Sequence, residues 1–273
     1  MSSPASASLS TAVEAFDRVA ASYDDSFTRT VIGQAQRKQV WKRLLRAYAP
    51  GDRILELNCG TGEDARFLAT RGRTIVACDG SAEMIKVANA LAQREAKGAD
   101  LTFKHLANED LRLLSRRQLF DGAYSNFSGL NCVSDLQPVA RELASLVRPG
   151  GRVLICLWSC VCVGELVWYL LHGETAKAVR RFSGKAQAKV GGLSITVSYP
   201  SVKEVQRAFA PWFRLDGRQA IGLFVPPSYV ENWARKHSSL IGYLEKMDEV
   251  FAELPVLCDL GDHVLLEFTR CSH

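Results

Sequence analysis

No apolar run long enough to cross a bilayer passes uninterrupted through this 273-residue sequence. The longest candidate, VLICLWSCVCVGELVWYLL from Val153, is broken by Gly164 and Glu165 and follows Arg148-Pro149-Gly150-Gly151, a turn that starts a strand. A membrane span is therefore not expected. A secretory start is missing too. MSSPASASLSTAVEAF has neither a basic head nor an apolar core, so residues 1–10 read as a disordered leader and export is not expected. Cys-x-x-Cys pairs are also absent. Eight cysteines without an export signal imply reduced thiols in a cytoplasm, and Cys156, Cys160 and Cys162 read as small buried hydrophobes rather than metal ligands. No metal site is expected, and no internal repeat is visible.

A strong excess of one charge sign is lacking: the formal net charge is +5. The densest basic stretch, KAVRRFSGKAQAK (Lys177, Arg180, Arg181, Lys185, Lys189), has no interleaved aromatics and no zinc-finger or RNA-binding signature beside it. It reads as a solvated helix face and loop, and nucleic acid is not an expected partner.

What is present is an ordinary globular composition, 47% hydrophobic and 23% charged, ordered as alternating strands and helices. Val13, Phe16, Val19 and Ala20, then Val40, Leu44 and Leu45, recur at helical spacing, predicting two helices within 11–48 broken near Tyr23 to Thr28. RILEL, TIVACD, DLTFKHLA, LFDGAYSNF and RVLICLW then read as strands one to five. Between several of them lie helical segments with stop signals at Gly72 and Gly98 and a plausible N-cap at Ser81. This alternation predicts parallel strands with crossover helices, a doubly wound α/β sheet. Past Trp158 the rhythm changes. Gly191-Gly192 marks a hairpin, and DHVLLEFTR closes the chain as a strand. The expected organisation is one domain over 11–273, with a substrate cover inserted at 159–199 and 226–256.

The first strand runs into a glycine loop, RILELNCGTGEDARFLA. A P-loop is excluded because no lysine follows Gly62. Gly60-Thr61-Gly62-Glu63-Asp64-Ala65 formally fits a dinucleotide fingerprint, with Asp79 at the end of the next strand as the ribose acid, so a nicotinamide oxidoreductase is one reading. Against it stand Glu63 and Asp64, which would repel a pyrophosphate at the helix N-terminus by about 1 kcal/mol each. A cofactor bearing cations reverses that sign. S-adenosylmethionine carries a sulfonium and an ammonium and still offers a ribose to Asp79, while Glu56, Gly60 and Gly62 complete one consistent set.

The ordered set ILELNCGTGEDA, VACDGSAEMI, FDGAYSNFSGLNCV and LASLVRPGGRVLI resembles the class I S-adenosylmethionine-dependent methyltransferases, in particular the small-molecule group related to ubiquinone and menaquinone methyltransferases. The resemblance covers Asp52 to Trp158, and AFDRVAASYDDSF is similar to the family's first helix. It implies a mostly parallel seven-stranded sheet whose last strand, HVLLEFTR, is antiparallel. It also implies S-adenosyl-L-methionine as cofactor, held by Tyr23, Glu56, Asn58, Gly60, Gly62, Asp79, Gly80, Met84, Asn108 and Asn126. Two positions depart from the family. Asn58 stands where glycine is common, and asparagine tolerates the left-handed backbone the turn needs. Ala107 stands where an acid often accepts from the adenine amino group, leaving Asn108 or Asp110 as substitutes.

Methyl transfer is an in-line displacement that needs positioning and exclusion of water more than a triad. Candidate catalytic groups are Asn126, beside the methyl by resemblance, and His172, His105 and Tyr23 as bases. Asn126-Phe127-Ser128-Gly129 lacks the Asn-Pro-Pro-aromatic sequence of amine methyltransferases. Trp158, Trp168, Tyr169, Leu170 and Phe224 favour a small apolar or aromatic acceptor. A protein that keeps the cofactor site without catalysis is the third reading.

Overall fold

The computed structural model describes residues 4–272 of the chain, with side chains from residue 11 onward. Helix α1 (Pro4–Val19) leads through two short turns into α2 (Val31–Ala47), which Thr30 caps by accepting from the Gly33 amide. Then come β1 (Arg53–Leu57), α3 (Glu63–Ala69), β2 (Thr74–Asp79), α4 (Ala82–Glu95), β3 (Leu101–His105), β4 (Phe120–Ser125), α5 (Gln137–Leu146) and β5 (Val147–Trp158). The stretch after β5 holds α6 (Val163–Leu171), α7 (Thr175–Ala178) and the hairpin of β6 (Lys185–Val190) and β7 (Leu193–Ser198). Helix α8 (Val202–Phe209), β8 (Phe213–Ile221), α9 (Glu231–Lys236), α10 (Ser238–Phe251) and β9 (His263–Arg270) complete the chain.

Seven strands form one sheet in the order β3-β2-β1-β4-β5-β9-β8. The first five are mutually parallel, and β9 runs antiparallel to both β5 and β8, as expected of the last strand. Both faces are dry. On one, Leu55, Leu57, Ala123 and Val153 pack with α5 and α8; on the other, Ile54, Ile75, Tyr124 and Leu154 pack with α2 and α3. Strands buried on both sides explain the near-continuous apolar runs in the sequence. The hairpin β6–β7 stands apart as a second sheet, closed by Gly191 and Gly192 at φ 56 and 80, the pair of positive values that a two-residue hairpin turn demands.

At the N-terminus, α1 extends back to Pro4, into the stretch read as a leader. Alanine-rich sequence with proline in its first turn favours helix, and the Ser/Ala composition alone concealed this. Residues 1–3 lie outside the described residues. Among the described residues, no helix is long and apolar enough to cross a membrane.

Candidate active site

The strand order reverses between β1 and β4, and a crevice outside the carboxyl ends of the strands is the expected result of that reversal. It is present as a cavity of about 630 Å³. Of the residues singled out in the sequence, Tyr23, Glu56, Asn58, Gly60, Asp79, Gly80, Met84, Asn108 and Asn126 all line it. Strand β1 delivers Glu56 and the loop, β2 delivers Asp79 and Gly80, and β4 delivers Asn126 just past its end. Asn58 has φ 54, so asparagine does occupy the left-handed turn position. Its Oδ1 accepts from Ser125 Oγ at 3.3 Å and Asn108 Nδ2 at 3.4 Å, joining the ends of β1 and β4 to the turn after β3.

Gly60, at φ 52, leaves open space toward the cavity, where a Cβ would meet only Tyr23 at 4.0 Å. Gly62 is different and does not line the cavity. At φ 74 it precedes α3, and a Cβ there would run into the Phe103 ring and Ala88, so it serves turn and packing rather than ligand contact. Asp79 is fixed by two backbone donors, Gly60 N to Oδ2 and Ser81 N to Oδ1, both at 2.8 Å. Burial nevertheless raises its pKa above the ordinary carboxylate value. Each oxygen retains a lone pair for a diol.

Among the described residues, Glu56 Oε2, Asn126 Oδ1 and Ser128 Oγ line this cavity buried and without a partner inside 3.5 Å, although the neighbouring Tyr124 hydroxyl interacts with the Glu56 carboxyl. Glu56 is 2% exposed, and burial pushes its carboxyl well above the usual range. Unpaired buried acceptors are costly, and a ligand ammonium is the group that would satisfy them. The amide of Asn126 is held in orientation because its Nδ2 donates to Asp64 Oδ2 at 3.0 Å.

The role expected of Asp64 is corrected here. It lines the cavity, but its carboxylate is already engaged, with Oδ1 accepting from Arg37 Nη1 and Trp41 Nε1, both at 2.6 Å. Glu63 does line the cavity, half-buried and paired with Arg66 at 2.5 Å. Arg37 offsets Asp64 and Arg66 offsets Glu63, so the acidity offered to a ligand comes from Glu56 and Asp79. Arg37 itself lines the cavity, its guanidinium 4.6 Å from the centre of the Phe127 ring. Phe127 and the next residue, Ser128, have φ 48 and 72, strained values that the turn after β4 maintains at the site. Nothing in the sequence marked Arg37, because GQAQRKQ in α2 shows no pattern separating its buried arginine from its exposed lysine.

The cover is smaller than the inserted segments. From 159–199 the hairpin contributes Ala188, Lys189, Val190, Gly191, Ile195 and Val197, and α1 contributes Ala12, Val13, Phe16 and Val19. The hairpin sits on α1 through Ala12, Ala15, Ile195 and Val197. Ser81 Oγ donates to Asp17 Oδ1 at 2.6 Å and ties α1 to α4. No residue of 226–256 lines the cavity. That segment packs on α2 instead, where Glu231 accepts from the Val31 and Ile32 amides and Asp248 from Gln39 Nε2. Trp158 lines the cavity, but Trp168, Tyr169, Leu170 and Phe224 do not.

His172 and His105 lie outside the cavity, and both are exposed. His172 stacks on Trp168 at 4.3 Å and bonds the Trp168 carbonyl; His105 bonds the Gly80 carbonyl at 2.9 Å. Asp110 is likewise off the lining, whereas Ala107 and Asn108 are on it. Of the basic stretch, Arg181 is buried rather than solvated, paired with Glu165 and Asp262 at 2.6 and 2.7 Å. All eight cysteines are free.

Residues 54–151 match the methyltransferase domain family. The chain is 33% identical over 147 residues to a demethylmenaquinone methyltransferase of Streptomyces griseus subsp. griseus, covering 53% of this chain and 59% of that protein. It is 32% identical over 147 residues to a 2-phytyl-1,4-naphtoquinone methyltransferase of Synechocystis sp., covering 51% and 59%. The chain thus spans less than two thirds of the length of each of these relatives. A solved structure described as a putative S-adenosylmethionine dependent methyltransferase from Listeria monocytogenes superposes with a TM-score of 0.57 at 14% identity, covering 84% of this chain and 97% of that one. By its matched domain over residues 54–151 and by the order and direction of its strands, the chain has the class I methyltransferase fold and is similar to S-adenosylmethionine-dependent methyltransferases, quinone methyltransferases among them.

Proposed function

We propose that this protein transfers a methyl group from S-adenosylmethionine to a small, largely apolar acceptor of the reduced-quinone kind. The observation that carries the reading is a cavity that brings the buried Glu56 carboxyl and the unpartnered Asn126 Oδ1 together with Asp79. The cofactor would supply a methyl on a positively charged sulfur. Asp79 accepts from the ribose hydroxyls, Glu56 and Asn126 accept from the ammonium end, and Met84, Ala107 and Asn108 flank the adenine. Gly60 and Gly80 let the backbone approach. Tyr23 closes over the methionine end and stays protonated, because burial raises its phenol pKa.

In this reading the two ligands occupy different ends of the cavity. The ribose lies over β2, whereas the acceptor lies toward β5, between Phe16, Phe127, Trp158 and the hairpin's Ile195 and Val197. On this wall no imidazole lines the cavity among the described residues. The chain therefore works by alignment and exclusion of water, and the acceptor brings its own nucleophilic carbon or ionised oxygen. The free cysteines suit a reducing cytoplasm, where we place the reaction.

Calorimetry with S-adenosylhomocysteine and with NAD tests the cofactor. Binding of the former and none of the latter is expected, with Asp79→Ala weakening it by more than about 100-fold, since two hydrogen bonds to a charged group are worth about 3 kcal/mol or more. Binding of NAD alone, or unchanged affinity in the variant, refutes the reading. Methyl transfer to naphthoquinols then tests the acceptor class.

A further inference from the structure

Helix α10 is apolar on the side it turns to solvent. Its charges are spent on the other side, where Glu245 and Glu249 pair with Lys38 and Lys42 of α2, and the buried Asp248 accepts from Gln39 Nε2 at 2.8 Å. With Ile241 and Asp248 fixed inward, Leu240, Tyr243, Met247 and Val250 share the outer side, Tyr243 61% and Val250 67% exposed. They follow one another at spacings of three, four and three residues. On one regular helix that spacing makes a single stripe, the seam of a coiled coil.

A seam of this spacing is filled by another helix, and the charges beside it select which. Lys246 lies next to the seam, exposed and without an ion pair among the described residues. Seven residues on, Glu253 falls on the same side, its side chain 49% exposed, because the backbone is still helical at Ala252. Parallel copies would set Lys246 against Phe251 of the other helix and leave both charges unanswered. Antiparallel copies, with Met247 against Val250 and Tyr243 against Leu254, bring Lys246 of each to Glu253 of the other. An anionic membrane is a poor occupant, since α10 carries three acids and one lysine.

We propose that this protein pairs with a second copy of itself through α10, the two helices antiparallel about a two-fold axis that passes between Met247 and Val250. The contact is isologous, so the seam and the ion pair each form twice. No residue of α10 lines the large cavity, and the pairing therefore stands or falls independently of the cofactor and acceptor proposed above.

Sedimentation velocity of the full chain from roughly 5 to 200 μM tests it, because an interface built on one helix is small and its dimer depends on concentration. The mass should rise toward that of two chains. Tyr243→Glu should weaken pairing at least about tenfold, with melting at the lowest concentration unchanged because the side chain is exposed. Lys246→Glu and Glu253→Lys should each weaken it about fivefold, and the variant carrying both should return to within about twofold of the parent, since the ion pair re-forms with its signs exchanged. A single-chain mass at every concentration overturns the proposal and leaves the seam to a different protein. An undiminished dimer in Tyr243→Glu overturns it by placing the contact elsewhere, and a double variant as weak as the single ones overturns the antiparallel arrangement.

Discussion

At the scale of single residues, the centre of the site is a chain of three side chains from three elements. Arg37 of α2 pairs with Asp64 of α3, and Asp64 fixes the amide of Asn126 beyond β4. Both acids after the glycine loop line the cavity and pair with an arginine, Glu63 with Arg66 and Asp64 with Arg37, and Asp64 also aims an amide. Asp64→Asn leaves a buried guanidinium without its counter-charge and should cost about 3 kcal/mol in urea denaturation. Arg37→Met removes that penalty, so the double variant should be more stable than the sum of the single losses predicts, by more than about 1 kcal/mol. Additive losses would show that the two are not coupled. Asn58, Gly60 and Asp79 were legible because loop geometry and strand ends dictate them. Arg37 was not, because a buried arginine is decided by which carboxylate the fold brings to it.

At the scale of elements, α1 and the hairpin form the roof, and their contact is tight at one glycine. A Cβ on Gly191 would stand 2.7 Å from the Ala15 carbonyl oxygen and 2.9 Å from Arg18 Cβ, whereas Gly192 has nothing within 4 Å. Both have positive φ, 56 and 80. Gly191→Ala and Gly192→Ala therefore share the backbone strain, about 1 kcal/mol, and differ in the clash. Faster amide exchange in α1 and a several-fold higher acceptor KM are expected for Gly191→Ala alone. Equal effects in the two variants would mean that turn strain, not the seat on α1, controls the roof. The hairpin itself was legible from Gly191-Gly192. Its role was not separable from that of α9 and α10, because apolar helices read alike whether they roof a cavity or brace α2.

At the scale of the whole molecule, the last strand closes the sheet and carries a titrating group into it. His263 opens β9 opposite Trp158, its ring 5.6 Å from Phe127. Burial lowers its pKa to about 4, with Arg181 adding to the effect and Asp262 opposing it. A histidine depressed in the folded state favours folding above its unfolded pKa of about 6.5. That contribution is lost as pH falls from there toward 4. Asp248, raised to about 6 by burial, has the opposite slope over its own range. Comparing the protein with His263→Gln cancels Asp248. The excess stability lost by the parent between pH 7 and pH 4.5 should be on the order of 2 kcal/mol by urea denaturation. A variant with the same pH dependence as the parent would show that His263 titrates normally.

The sequence by itself determined the alternation of strands and helices, the glycine loop, Asp79 at the end of β2 and the hairpin turn. Each of these is local: it depends on residues a few positions apart whose backbone angles or apolar period leave one choice. Only the tertiary structure decided that Asp64 is spent on Arg37, that Gly62 packs against Phe103, that His172 lies outside the cavity and that α10 turns Tyr243 and Val250 outward. Those outcomes depend on partners far away in the chain, because the worth of a charge or an apolar face is set by what is packed against it.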